Sequence, residues 1–228
     1  VVTGGARGLG AAIAARFRDE GAQVITLELH GGDVACDVTD EASVAAAFAR
    51  LGPRMDVLVA NAGVVPPWSN LTAIDAALWD RVFAVNVRGV MLTLKHGVAL
   101  MGAGGSVVAM GSIMSERGAA RQTLYSATKH AVLGVVRSAA MELGPRGIRV
   151  NAIGPGPVAT NALRERVARR AASGEGPGMD AAFGALNGET ALGRIATEAD
   201  VAGVAVFLAS DLSSAVSGRL VRVDGGLG

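Results

Sequence analysis

Tyr125 and Lys129 stand four residues apart in the run Tyr125-Ser126-Ala127-Thr128-Lys129, within a long apolar, alanine-rich stretch. On a helix, positions i and i+4 share one face, which brings the lysine ammonium near the phenol. A free tyrosine titrates near pH ~10, too high for a base at neutral pH. A fixed cation beside it favours the phenolate and lowers that value. The pair therefore has the composition of a general acid–base. The same spacing also occurs on many ordinary helix faces, so its meaning depends on the rest of the chain.

At the other end, Thr3-Gly4-Gly5-Ala6-Arg7-Gly8-Leu9-Gly10 follows Val1-Val2 and precedes Ala12, Ile13, Ala15 and Phe17 at helical spacing. This pattern predicts a strand end, a glycine turn and the start of a helix. Gly4, Gly8 and Gly10 lack the Cβ atoms that would hold a pyrophosphate away. The first turn of the helix offers that anion free N–H groups and the positive end of its dipole. The spacing is G-x-x-x-G-x-G, not the usual G-x-G-x-x-G. A second apolar run, Gln23-Val24-Ile25-Thr26-Leu27, ends in Glu28, placed where an acidic residue accepts hydrogen bonds from the adenosine ribose of NAD. Its charge would repel a 2′-phosphate, and Leu29 and His30 supply no arginine to neutralise one. NAD is the expected cofactor; Arg7, a cation in the glycine turn, keeps NADP open as the alternative.

With these pieces in order, the chain resembles the short-chain dehydrogenase/reductase family, in the branch with TGxxxGxG and YxxxK motifs, from Thr3 to Gly226. Thr3-Gly4-x-x-x-Gly8-x-Gly10 is similar to the family's cofactor turn, and Asp37-Val38 to its adenine contact. Asn61-Ala62-Gly63 is similar to its Asn-Ala-Gly turn, with Ala60 where many members carry another asparagine. Asn86-Val87 matches the helix asparagine, and Gly111-Ser112 precedes Tyr125 by the usual interval. Pro155-Gly156, Thr160 and Val223-Asp224-Gly225-Gly226 complete the set. The resemblance implies a cofactor held by Gly4, Arg7, Gly8, Leu9, Gly10, Glu28, Asp37, Val38, Asn61, Ala62, Gly63, Tyr125, Lys129, Pro155, Gly156, Val158 and Thr160.

It also implies four catalytic positions. Tyr125 exchanges a proton with the alcohol or ketone oxygen as hydride moves to or from the nicotinamide. Lys129 lowers the phenol's pKa and bonds the nicotinamide ribose. Ser112 hydrogen-bonds the substrate oxygen and stabilises its developing charge, and Asn86 holds a water that relays protons from Lys129. Ser115 competes with Ser112, but the interval to Tyr125 favours Ser112. The expected activity is an NAD-dependent interconversion of a secondary alcohol and a ketone. The alternatives are an NADP-dependent ketoreductase, such as a 3-oxoacyl thioester reductase, and a non-catalytic nucleotide sensor. A sensor has no need of all four positions.

Strand-like and helix-like segments alternate to position these groups. Strands are expected near 1–3, 22–28, 33–36, 55–60, 105–111, 147–152 and 219–223, and helices near 9–20, 41–51, 74–84, 86–101, 123–144, 161–172 and 198–209. Alternation of this kind predicts one α/β domain over residues 1–228: a Rossmann-type, doubly wound parallel sheet with helices on both faces. Its ligands would lie at the carboxyl ends of the strands. Two residues before the glycine turn are short for a central strand, so a few residues and an initiator Met are expected to be missing from the sequence as given.

Half of the 228 residues are hydrophobic, yet no stretch reaches the roughly 18 apolar residues of a membrane helix. The net charge is +1 with dispersed basic residues, which points to neither nucleic acid nor membrane. Arg164, Arg166, Arg169 and Arg170, interrupted by Glu165, read as a solvated helix face. The single Cys36 excludes an internal disulfide and suits a cytoplasmic location. His30, His96 and His130 show no ligand spacing, so no metal is expected.

Residues 157–193 are expected to form a substrate lid with a flexible hinge at Ser173-Gly174-Glu175-Gly176-Pro177-Gly178. Ser112, Met114, Gln122 and Tyr125 are expected to touch a small-molecule substrate. Val64, Val65, Pro157, Val158, Met179, Phe183 and Leu186 make the surroundings apolar. No arginine or lysine is placed to hold a carboxylate or phosphate, which favours a hydrophobic substrate. Small residues along 123–143 (Ala127, Ala131, Gly134, Ser138, Ala139) and the family's habit of pairing this helix with the 86–101 helix imply a homotetramer.

Overall fold

The computed structural model describes residues 1–228. Seven strands, β1 (Val2–Thr3), β2 (Thr26–Glu28), β3 (Val34–Ala35), β4 (Val57–Ala60), β5 (Ser106–Met110), β6 (Arg149–Pro155) and β7 (Leu220–Val223), form one sheet in the order β3-β2-β1-β4-β5-β6-β7. Every pairing is parallel. The chain builds β1, β2 and β3 in one direction, then returns to β1's other side to lay down β4 to β7. This reversal between β1 and β4 opens a crevice at their carboxyl ends.

Eight α-helices cover the sheet: α1 (Gly8–Asp19), α2 (Glu41–Ala49), α3 (Ala76–Phe83), α4 (Gly89–Gly97), α5 (Thr123–Leu143), α6 (Asn161–Ala172), α7 (Met179–Gly188) and α8 (Glu198–Ala209). The central strands are continuous apolar runs because both of their faces are covered; all five residues of β5 are buried. Successive strand residues point to opposite faces. Leu58 and Val107 therefore pack with Val44, Phe48 and Val132, while Val59 and Val108 pack with Ile13, Phe17 and Leu208. Two cores result, one on each side of a single sheet.

Three elements differ from the sequence pattern. β2 begins at Thr26, the residue in register with Val2; of residues 22–25, Ile25 gives the pairing only its carbonyl, which accepts from the Val2 N–H at 3.0 Å. The helices expected at 74–84 and 86–101 are one continuous helical run: α3, a π turn at Ala84–Arg88, α4 and a 3-10 turn at Val98–Leu100. A π turn of this kind often marks a functional residue, and here Asn86 sits in it. Within 157–193 the chain forms a second helix, α7, whose Gly184 and Gly188 weaken its pattern in the sequence. No helix is long and apolar enough to cross a membrane.

Candidate active site

β1 ends in Thr3, and the chain turns at Gly4 with φ +64°, a left-handed conformation in which a Cβ would stand 2.8 Å from Ala62 Cα. At Gly10 a Cβ would fall 2.0 Å from the Gly4 carbonyl oxygen and 2.5 Å from Asn61 Nδ2. Glycine at these two positions lets α1 press its first turn against the ends of β1 and β4. A Cβ at Gly8 would meet nothing within 4 Å, so the ground in front of α1 is open. Arg7 gives α1 no side-chain cap, and no acidic residue lies in its first turn. The first N–H groups of α1 are thus free for an anion, with the room and donor set that a pyrophosphate requires.

The cradle is held by side chains that reach across the switch point. Thr3 Oγ1 accepts from the backbone N–H groups of Asn61 and Ala62, both at 3.1 Å. Asn61 Nδ2 donates to the carbonyls of Thr3 at 3.0 Å and Gly4 at 2.9 Å. Glu28, at the end of β2, turns a carboxylate oxygen toward the glycine turn, where the Ala6 N–H donates to it at 3.4 Å. Asp37 accepts from the Thr39 amide at 2.9 Å and hydroxyl at 2.7 Å, which shapes the turn that carries Val38. Gly63 follows in the loop after β4, where a Cβ would stand 3.4 Å from Asn86 Oδ1. Gly156, after Pro155 at the end of β6, packs so close that a Cβ would lie 2.8 Å from Asp224 Cβ. Val158 is buried, and Thr160 Oγ1 caps α6 by accepting from the Leu163 N–H at 3.1 Å.

Beside this cradle, at the carboxyl end of β5, the four predicted catalytic residues converge. Ser112 and Ser115 form a reciprocal capping box: the Ser112 hydroxyl accepts from Met114 N–H at 3.1 Å, and the Ser115 hydroxyl from Ser112 N–H at 3.2 Å. This fixes Ser112 facing Tyr125 and leaves Ser115 as the cap partner. Lys129, only 5% exposed, lies with Nζ 5.6 Å from the Tyr125 ring centroid and donates to the Met110 carbonyl at 2.7 Å. Asn86, 1% exposed, holds Val64 at both ends, accepting from its N–H at 2.8 Å and donating to its carbonyl at 2.9 Å. Its second amide hydrogen reaches Thr128 Oγ1 at 3.3 Å, and that hydroxyl donates to the Tyr125 carbonyl at 2.8 Å.

The electrostatics correct one expectation. The i,i+4 spacing predicts that Lys129 pulls the Tyr125 phenol down. Burial instead pushes the phenol above its ordinary value, and the opposing influences are the Ser112 hydroxyl and the charge of Arg166. Burial also holds the Lys129 ammonium down at about 8. Desolvation disfavours both charged forms, and for the phenol it outweighs the effects that favour the phenolate.

A second correction concerns α6. Arg164 and Arg169 are exposed, but Arg166 and Arg170 are half-buried on the face turned inward. The Arg170 guanidinium lies 4.5 Å over the Trp68 ring and donates to the Glu175 carbonyl at 2.8 Å. The Glu175 carboxylate stands 3.6 Å from Arg121, whose φ of 64° is left-handed. Trp68, Arg121, Gln122 and Tyr125 line one concavity with Val65 and Leu124. Met114 is buried, while Val64 and Val65 are exposed. Sequence reasoning missed Trp68, Arg121, Arg166 and Glu175. For Arg166 a signal existed: Leu163, Arg166, Val167 and Arg170 fall at i, i+3, i+4 and i+7, the spacing of one helix face. No group of three or more His, Cys, Asp or Glu side chains is arranged to hold a metal ion.

A family model described as enoyl-(acyl carrier protein) reductase matches residues 4–228. Short-chain dehydrogenase reductase 5 of Arabidopsis thaliana is 37% identical over 99% of this chain and 92% of that protein. The cis-4-hydroxycyclohexanecarboxylate dehydrogenase of Sinomonas cyclohexanicum is 38% identical over 99% of this chain and 94% of its own length. Among solved structures, ligand-free aldohexose dehydrogenase of Thermoplasma acidophilum superposes with a TM-score of 0.91 at 31% identity, covering 99% of this chain and 92% of that one.

Lys129 supplies a stability test. Its folded value of about 8 lies below the ordinary 10.5. Between those values the unfolded chain holds a proton that the folded protein has released, so stability rises with pH across that window and is flat below it. In urea unfolding, wild type should gain on Lys129→Met steadily from about pH 8 to 10.5. Parallel profiles would contradict the burial of this charge.

Proposed function

The chain belongs to the short-chain dehydrogenase/reductase family, and on that premise we propose that it is an NAD-dependent enzyme interconverting a secondary alcohol and a ketone on a largely apolar skeleton. Membership makes it an oxidoreductase that acts on CH–OH groups with a nicotinamide nucleotide. The observation that carries the finer reading is the convergence of Tyr125, Ser112 and Lys129 at the end of β5, beside the glycine cradle. The relative named for a hydroxycyclohexanecarboxylate is a dehydrogenase of a hydroxyl-bearing compound by name, which supports an alcohol as substrate.

When bound, the nicotinamide supplies the hydride acceptor or donor and, oxidised, a positively charged ring. The Tyr125 hydroxyl takes a proton from the alcohol or gives one to the ketone oxygen. Ser112 Oγ, fixed by its turn, donates to the same oxygen and stabilises charge developing there. Lys129 would bond the nicotinamide ribose, and an ammonium with a pKa of about 8 releases and regains a proton readily near neutrality. Asn86 keeps one oxygen lone pair beyond its bonds to Val64 and Thr128, enough to hold the relay water. Proton transfer of this kind contributes roughly 10²–10⁴-fold.

The cofactor would lie along Gly4, Arg7, Gly8, Leu9 and Gly10, with its adenosine half at Glu28, Asp37 and Val38. Asn61, Ala62 and Gly63 would border it, with Pro155, Gly156, Val158 and Thr160 at the nicotinamide end. Glu28 supports NAD, because its carboxylate faces the glycine turn and would repel a 2′-phosphate. Arg7 is exposed, its side chain forms no hydrogen bond or ion pair, and it supports NADP as the second reading. Residues 157–193 serve as the lid over a small-molecule substrate. α3, α4 and α5 border a concavity of about 440 Å³ lined in part by Phe83, Val87, Met91 and Val135, and a Cβ at Gly134 would meet nothing. This face suits pairing into a homotetramer. Cys36, whose thiol burial pushes up to about 11, fits a cytoplasmic protein with no need of a disulfide.

Three outcomes test this reading. Tyr125→Phe should lower turnover of secondary alcohols at least ~10²-fold while NAD binding, followed by fluorescence, stays nearly unchanged; retention of more than a few per cent of the rate would remove Tyr125 as the acid–base. Glu28→Arg should move the kcat/KM ratio toward NADP, and an unchanged ratio would remove Glu28 from cofactor choice. Sedimentation at micromolar concentration should give a tetramer, and a monomer would contradict the assembly.

A further inference from the structure

Three buried side-chain polar atoms in the chain have no hydrogen-bond partner: Trp68 Nε1, Ser126 Oγ and Arg170 Nε. Two of the three belong to one stacked pair, the Arg170 guanidinium lying 4.5 Å over the Trp68 ring. Trp68 also lines the concavity that Tyr125 lines, where Val65, Ile74, Leu78 and Leu124 are its apolar neighbours. The guanidinium covers the face of the indole, whereas the N–H lies in the ring plane, so the stack leaves that donor unused. An indole nitrogen only donates, as does a guanidinium, and neither can satisfy the other. Ser69, in the same wall, donates its hydroxyl to the Asn70 carbonyl at 3.2 Å, and neither it nor Gln122 accepts from the indole.

A buried donor without an acceptor is costly, and a native fold keeps few of them. A tryptophan in a finished interior ordinarily finds an acceptor for its N–H; one in the wall of a binding concavity can take it from the ligand. We propose that the substrate supplies it: the alcohol or ketone carries a second, neutral oxygen (carbonyl, ether or hydroxyl) that accepts from Trp68 Nε1 while the reacting carbon faces Tyr125. The acceptor is neutral because the indole carries no charge. The cation in this wall, Arg121, already stands 3.6 Å from the Glu175 carboxylate, so it leaves no open partner for an anion. The inference rests on the dehydrogenase reading above and deepens it by naming the substrate class, an apolar skeleton oxygenated at two separate places. Trp68 is then a specificity-determining residue, separate from the proton transfer.

Two near-isosteric ketone pairs test it: 1,4-cyclohexanedione against 4-methylenecyclohexanone, and tetrahydropyran-4-one against cyclohexanone. Affinity for NAD-loaded enzyme is read by calorimetry and kcat/KM from reduced-nicotinamide absorbance. The proteins are wild type, Trp68→Phe, and a form with 3-benzothienylalanine at position 68, which keeps the bicyclic ring and loses only the N–H. A neutral hydrogen bond corresponds to about 3- to 10-fold in affinity. In at least one pair, the oxygenated-to-carbocyclic affinity ratio should be about 3- to 10-fold higher in wild type than in the benzothienyl form. NAD and carbocyclic affinities should stay unchanged in that form, and Trp68→Phe should lose the same preference. The chain has two tryptophans, so indole ¹⁵N–¹H spectra, assigned with Trp79→Phe, should show the Trp68 N–H resonance moving downfield only with oxygenated ligands. Equal ratios in the two proteins for both pairs would overturn the proposal. A Trp68 resonance that no ligand moves would assign the donor to water and overturn it too. Oxygenated ligands held through Trp68 while no ketone is reduced would leave the subsite standing and remove the dehydrogenase reading. Reduction of all four ketones, indifferent to the second oxygen, would do the reverse.

Discussion

Asn61 joins the two strand ends on which the cleft is built. β1 and β4 meet in a ladder with one registered pair, Val2 and Val59, and the hydrogen bonds of Asn61 Nδ2 to the Thr3 and Gly4 carbonyls extend that contact into the glycine turn. Thr3 answers by accepting two N–H groups from the far side. Each buried polar group left unsatisfied there would cost about 1–3 kcal/mol, so the turn, the start of α1 and the end of β4 keep one arrangement. Asn86 repeats the device one step outward by gripping Val64, and Thr128 carries the connection to the Tyr125 backbone. Side chains bonded to backbone thus run from the glycine turn to the helix that carries Tyr125.

The same packing that orders the cleft determines its electrostatics. Lys129 reaches Met110 through a buried path, and the loss of water lowers its ammonium to about 8 while raising the neighbouring phenol. Two groups that would attract each other if ionised are both moved toward neutrality. The balance is then sensitive to any further cation, and Arg166 is the one that α6 brings.

Much of this was legible in the residues. The glycine spacing, the apolar runs of β4, β5 and β6, and the order of the motifs were sufficient to expect a doubly wound parallel sheet with its ligands at the strand ends. Tyr125, Lys129, Ser112 and Asn86 come together as their motifs imply. The region between residues 157 and 193 was not legible in the same way. α7 contains two glycines, and the inner face of α6 contains two arginines, so neither shows the apolar stripe that marks a packed helix. Trp68 gave no signal either, since its partner Arg170 lies about a hundred residues further on.

The sequence by itself determined which chemistry is available: a glycine turn with an acidic strand end for a dinucleotide, and a tyrosine and lysine one helical turn apart. These follow from local periodicity and from the few residue types that fit tight turns or transfer protons. The tertiary structure alone decided how those groups are tuned. Burial raised the phenol rather than lowering it, committed Asn86 to Val64, and left Arg166 half-buried on the inner face of α6. Such outcomes depend on desolvation and on contacts between residues far apart in the chain, and neither quantity is written in local spacing.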